Sequence, residues 1–142
     1  MYAYRVTWTL VLLSTALAGA NFSRWYPYVE ALHLAQAHGR MVMVYFHSPH
    51  CPYCEQMNTF VLSDPAVTQL LEERYVVASV STATREGQDL ARRLRAPGVP
   101  TFVFLVPHQG TWEEVGRLFG SRPRAQFLEE LRRMCAKGGV CE

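Results

Sequence analysis

The sequence predicts an α/β fold built on one mixed sheet. Three observations lead to it. Short apolar runs rich in β-branched and aromatic residues (Met41–Phe46, Tyr75–Val80 and Thr101–Val106) read as buried strands. Segments with helical spacing lie between these early strands, which implies parallel crossovers, whereas a turn alone separates the last two strands, which then form a hairpin. At 142 residues there is room for one domain.

The elements follow in chain order. Trp25 to His38 places Trp25, Val29, Leu32 and Ala35 close to helical spacing, and Gly39 closes the helix. Trp25, Tyr26 and Tyr28 are read as packing for this helix rather than as a ligand platform. Met41–Phe46 is the first strand. From Cys51 a helix runs through Met57 towards Phe60. Asp64 then caps a helix that starts at Pro65, turns Val67, Leu70 and Leu71 inward, and ends near Arg74. Tyr75–Val80 is the second strand. Glu86–Arg95 is a short helix with Leu90 and Leu94 on one face and Arg92, Arg93 and Arg95 outside. Ala96-Pro97-Gly98-Val99-Pro100 breaks the pattern. Thr101–Val106 follows as a strand, Pro107-His108-Gln109-Gly110 as a turn, and Thr111–Leu118 as the fourth strand, where Gly116 marks a bulge. Ser121 and Pro123 open a last helix with the stripe Phe127, Leu128, Leu131, Met134 and Cys135.

The first residues have a different character. Arg5 precedes a short apolar stretch, Val6 to Ala18, that ends in the small-x-small pattern Ala18-Gly19-Ala20. Residues 1–20 are therefore expected to be a secretory signal peptide and 21–142 the mature domain, with 136–142 as its tail. The stretch is short for a bilayer span, and an uncleaved anchor is the alternative. Asn21 rather than Cys follows the small residues, so no lipobox is present. A periplasmic or otherwise exported protein is expected. Arg5 is the one basic residue in that leader, which leaves 13 basic against 12 acidic side chains in the mature part. Such a balance argues against a nucleic-acid or anionic-membrane footprint.

Cys51-Pro52-Tyr53-Cys54 stands at the end of the first apolar strand. Residues i and i+3 share a helix face, so the two sulfurs can meet as a disulfide. Pro52 suits the first helical position, where its missing N–H costs nothing. Cys51 is then the N-cap, with its sulfur towards free backbone N–H groups and the positive end of the helix dipole. Both favour the thiolate, which is the reactive species. This context reads as a thiol–disulfide exchange site.

The strand–CPYC–helix unit, with Gly98-Val99-Pro100-Thr101 about 45 residues later, resembles the thioredoxin superfamily. More narrowly, Cys51–Met57 and Ser63-Asp64-Pro65-Ala66-Val67 are similar to exported thioredoxin-like proteins of the SoxW type and to the C-terminal periplasmic domain of DsbD. The resemblance covers about residues 25–134. It implies a thioredoxin-like fold, a central mixed four-stranded sheet with helices on both faces. It also implies that Cys51 attacks, that Cys54 resolves, and that Pro100 is a cis-proline whose preceding residue, Val99, offers a backbone edge to an extended substrate. The expected activity is reduction of protein disulfides in client proteins, with no organic cofactor, by a monomer. A membrane electron donor of the DsbD or CcdA kind is implied for recycling. An oxidase or isomerase is the alternative, and a non-catalytic thiol module for metal delivery or client holding is a third. Many thioredoxins carry a buried Asp six residues before the first Cys; this chain has Tyr45, a poor base at neutral pH.

Several neighbours have two readings. A protonated His50 would stabilise the Cys51 thiolate and make the disulfide more oxidising; otherwise it is a solvated loop residue. His47 is a weaker candidate for the same role, and no metal site is assigned. Pro52 and Tyr53 are expected on the substrate-facing rim. Cys135 lies on the last helix's stripe, and Gly138-Gly139 would let Cys141 fold back onto it. A structural disulfide is expected there. A second redox pair, free thiols and an intermolecular bond are the alternatives.

Overall fold

The computed structural model describes residues 24–141, and the expected signal peptide lies outside the described residues. The elements are α1 (Tyr28–His38), β1 (Met41–His47), α2 (Pro52–Gln56), α3 (Pro65–Arg74), β2 (Tyr75–Ser81), α4 (Arg85–Arg93), β3 (Thr101–His108), β4 (Thr111–Phe119) and α5 (Arg124–Lys137). One four-stranded sheet runs in the order β2-β1-β3-β4. β1 is parallel to β2 and antiparallel to β3, and β3 and β4 form the antiparallel hairpin. The predicted mixed sheet and its hairpin are borne out, but of the connections through helices only that from β1 to β2 is a parallel crossover: β3, expected parallel, enters antiparallel to β1.

Alternation along β1 builds two cores. Met41, Met43 and Tyr45 point to the face covered by α3 and α5, with Val67, Leu71, Phe127 and Leu131. Val42, Val44 and Phe46 point the other way, to Ala31 and Ala35 of α1 and Leu90 of α4. A strand buried on both faces must be apolar at every position, which is why Met41–Phe46 reads as a continuous run. Asp64 caps α3 as expected, its carboxylate accepting from the Ala66 and Val67 N–H groups at 3.1 and 3.2 Å.

Four further features differ from the sequence-based expectation. Trp25 and Tyr26 are not helical. Tyr26 forms a parallel bridge with Ala78, donating to the Val77 carbonyl at 2.9 Å and accepting from the Ser79 N–H at 3.0 Å. A residue before proline is disfavoured in a helix, and the β2 edge offers it backbone partners instead. Val29, expected on the buried stripe of α1, is 60% exposed; α1 packs through the small Ala31 and Ala35, which allow close approach. α2 ends at Gln56 and continues as a π-helical turn, Met57–Val61. The predicted four-residue turn is shorter: β3 runs to His108, and Gln109 and Gly110, with φ of 50° and 80°, make a two-residue hairpin loop. β1 pairs with β3 only as far as Leu105, so Pro107 sits where β3 has β4 alone beside it.

The bulge falls at Gly116. Phe104 faces Gly116 while Leu105 faces Glu114, so Val115 is the extra residue. α5 lies close there: a Cβ on Gly116 would come within 2.6 Å of the Met134 sulfur.

Candidate active site around the Cys51–Cys54 disulfide

β1 lies between β2 and β3, and its carboxyl end delivers the chain to α2. His50 takes a left-handed backbone, φ 56°, and turns the chain into the helix. Cys51 then adopts an extended conformation, φ −108° and ψ 100°, and caps α2 with Pro52 at the first helical turn. Its Sγ accepts the Cys54 N–H at 3.2 Å, and its carbonyl accepts the Glu55 N–H at 3.0 Å. Cys51 and Cys54 form a disulfide with their Cα atoms 5.2 Å apart. Cys51 is 7% exposed and Cys54 2%, so the capping cysteine is the more exposed residue of the two. Once reduced, a thiolate at Cys51 would keep the same backbone donor and the helix dipole, both of which lower its pKa.

Tyr45 lies in the core on the face of β1 that carries Met41 and Met43. Its hydroxyl donates to Asn58 Oδ1 at 2.9 Å, and its ring stacks on Phe102 at 4.8 Å between centroids. Burial pushes the phenol far above its ordinary range, so it holds its proton at neutral pH. His47 contacts the Tyr45 ring at 5.1 Å and places Nε2 2.7 Å from Ser79 Oγ. Burial lowers its pKa, which favours the neutral ring. His50 is exposed, whereas His47 is half-buried.

The Val99–Pro100 bond is cis. Pro100 is buried and Val99 half-buried. Thr101 pairs with Phe46, which sets Pro100 at the same end of the sheet as the β1–α2 junction. Thr101 Oγ1 donates to the Gly98 carbonyl at 2.6 Å, and the Gly120 N–H donates to the Pro100 carbonyl at 2.9 Å. Pro52 is exposed, and Tyr53, at 61% exposure, presents an aromatic ring to solvent beside the disulfide. Arg122 and Glu130 close the loop behind this edge, and no motif or spacing singles them out in the sequence.

Cys135 and Cys141 also form a disulfide, with Cα atoms 5.1 Å apart. Cys135 is fully buried, and its carbonyl accepts the Val140 and Cys141 N–H groups at 3.0 and 3.1 Å. Gly138 lies against Met41, the first residue of β1, whereas Cys51 follows the last. The two disulfides thus stand at opposite ends of a seven-residue strand, on the order of 20 Å apart. Mild reduction should open Cys51–Cys54 while Cys135–Cys141 survives, as differential alkylation and mass spectrometry would read. Closing so short a loop contributes on the order of 2 kcal/mol. A Cys135→Ala/Cys141→Ala variant should therefore melt slightly lower and keep its turnover. Lost turnover at unchanged stability would make the pair a redox relay.

The comparisons with known proteins agree with this geometry. The family model described as a thioredoxin-like domain matches residues 28–134. The thiol:disulfide interchange protein DsbD of Salmonella typhi is 33% identical over 100 residues, 69% of this chain and 17% of that protein. DsbD of Yersinia pestis is 31% identical over 107 residues, 75% of this chain and 18% of its own length. The chain thus spans about a sixth of these relatives. A thioredoxin from Thermus thermophilus, solved in solution, superposes with a TM-score of 0.77 at 79% identity, covering 83% of this chain and 91% of that one. The oxidised C-terminal domain of Neisseria meningitidis DsbD shares the fold at a TM-score of 0.59 and 24% identity, covering 77% and 97%. A CxxC disulfide at the head of a helix in this fold is an arrangement through which thiol–disulfide exchange can run. The chain belongs to the thioredoxin-like domain family.

Proposed function

We propose that the protein reduces disulfides in exported client proteins. One observation carries the exchange chemistry: Cys51 Sγ sits at the helix N-cap, accepting a backbone N–H, at the sheet end where Val99-Pro100 lies. The reductase direction draws on the similarity to part of DsbD. In the proposed reaction the Cys51 thiolate attacks one sulfur of a client disulfide and expels the other as a thiolate. The client lies along the Val99 backbone, between the Pro100 edge and the Pro52-Tyr53 rim, as a mixed disulfide. Cys54, deprotonated, attacks Cys51 Sγ and releases the client's second thiolate. The client gains two electrons, and Cys51–Cys54 is left oxidised. Tyr45 does not accept the Cys54 proton, so water or a neighbouring group takes it.

Recycling needs a donor of two electrons. A membrane carrier of the DsbD or CcdA kind suits a domain similar to part of DsbD. The name of those relatives, thiol:disulfide interchange protein, fits the chemistry. An address outside the cytoplasm rests on the leader-like residues 1–20, with 21–142 as the working domain, and Cys135–Cys141 acts as a structural staple. An oxidase is the second reading. It draws on the exposed His50, whose protonated ring beside Cys51 would favour the thiolate and so the oxidising disulfide.

The test is the reduction of insulin by dithiothreitol. Catalysis by the wild-type protein and its loss in Cys51→Ser are expected. A wild-type protein that leaves the uncatalysed rate unchanged contradicts the reading.

A further inference from the structure

We propose that Arg122 and Glu130 are positioning residues for client binding, a buried ion pair that holds the β4–α5 loop against the Val99–Pro100 edge. The inference rests on the reductase reading above. Arg122 and Glu130 are 13% and 10% exposed at their side chains. Arg122 donates through one terminal nitrogen to both Glu130 oxygens, at 2.9 and 3.0 Å, and through the other to the Phe119 carbonyl at 2.6 Å. Gln126 adds a donor to Glu130 at 3.2 Å. The planar guanidinium thereby ties the end of β4 to the middle of α5.

Three consecutive residues, Phe119 at the end of β4 and Gly120 and Ser121 of the loop, then reach three parts of the site. Phe119 is fixed at its carbonyl by Arg122, and its ring lies against Gly98, where a Cβ would stand 3.3 Å from Cε2. Gly120, with φ 91°, donates to the Pro100 carbonyl at 2.9 Å. Ser121 donates to Gln56 Oε1 of α2 at 3.2 Å. The loop therefore braces both the proline edge and the helix that carries the disulfide. Phe119 keeps 57% of its surface exposed beside that edge, so whatever moves the loop also moves an aromatic wall of the client's path.

The pair is poorly explained as a device for stability alone. A buried ion pair adds little over an apolar pair of similar volume. Arg122 Nε is moreover buried with no hydrogen-bond partner among the described residues, which costs free energy. What the pair supplies, and an apolar pair would not, is a directed bond to the Phe119 carbonyl. Clients that lie on the edge should feel its loss. A small disulfide that reaches Cys51 without the edge should not.

The test uses the full chain and the double variant Arg122→Met/Glu130→Met, which removes both charges and leaves neither buried alone. KM for insulin should rise about fivefold with kcat nearly unchanged. The reaction of Cys51 with hydroxyethyl disulfide should keep its wild-type rate. In hydrogen exchange the Gly120 amide should open about tenfold faster. Arg122→Lys, which keeps the charge without the fork, should fall between the two proteins in KM. A double variant with wild-type KM and a protected Gly120 amide, whatever its melting temperature, overturns the proposal alone. A wild-type protein that reacts with hydroxyethyl disulfide but not with insulin overturns the reductase reading and this proposal with it.

Discussion

Cys54→Ser should accumulate mixed disulfides between Cys51 and its clients, and Cys51→Ser should accumulate almost none. The asymmetry comes from position. Cys51 caps α2, its sulfur accepts the Cys54 N–H at 3.2 Å, and it is the more exposed of the two. Cys54 lies inside the first turn at 2% exposure, where an incoming disulfide cannot reach it but the Cys51 sulfur can. With Cys54 replaced, the first attack proceeds and nothing resolves it. With Cys51 replaced, no attack begins, and turnover should drop on the order of a thousandfold or more, as when a nucleophile is deleted. Non-reducing electrophoresis of each variant from an exporting host reads the trapped species. Equal trapping by both variants would remove the assignment of roles.

Gly87→Ala should destabilise the protein by roughly 3 kcal/mol, although the same change inside an exposed helix stabilises by about 1 kcal/mol. Gly87 is in the first turn of α4, where Thr84 Oγ1 caps it by accepting the Gly87 N–H at 3.0 Å. A Cβ there would stand 1.8 Å from the carbonyl oxygen of Ser81, the last residue of β2. Two backbone segments meet at that point, and neither can swing aside as a flexible side chain would. α4 must lift from β2, and Leu90 loses part of its burial between them. Urea denaturation should show a lower midpoint at an unchanged slope. A variant as stable as wild type would mean that β2 and α4 approach less closely than described.

Much of the architecture is legible in the sequence because residues 41–46, 75–78 and 102–106 are apolar without interruption and the helices carry their own punctuation. Asp64-Pro65 starts α3 and Gly39 ends α1, each for a local capping reason. The Cys51–Cys54 site is legible for the same reason: a CxxC at a strand–helix junction is a local pattern. What the sequence does not show depends on distant partners. Tyr26 is extended because the edge of β2 accepts it, and no periodicity within Trp25–His38 records that edge. The π-helical turn at Met57–Val61 changes the hydrogen-bond register without changing the residue types. Arg122 and Glu130 are eight positions apart and meet only because the loop after β4 folds back over α5. Glu130, which no motif in the sequence singles out, is buried.

The reduction potential of Cys51–Cys54, measured by equilibration in glutathione or dithiothreitol buffers, tests the central claim most directly. A protein-disulfide reductase requires a potential at or below roughly −200 mV, in the range spanned by glutaredoxins and thioredoxin. That is the value this account predicts. A potential near about −120 mV, that of a strong protein oxidant, would contradict it and make the protein a donor of disulfides.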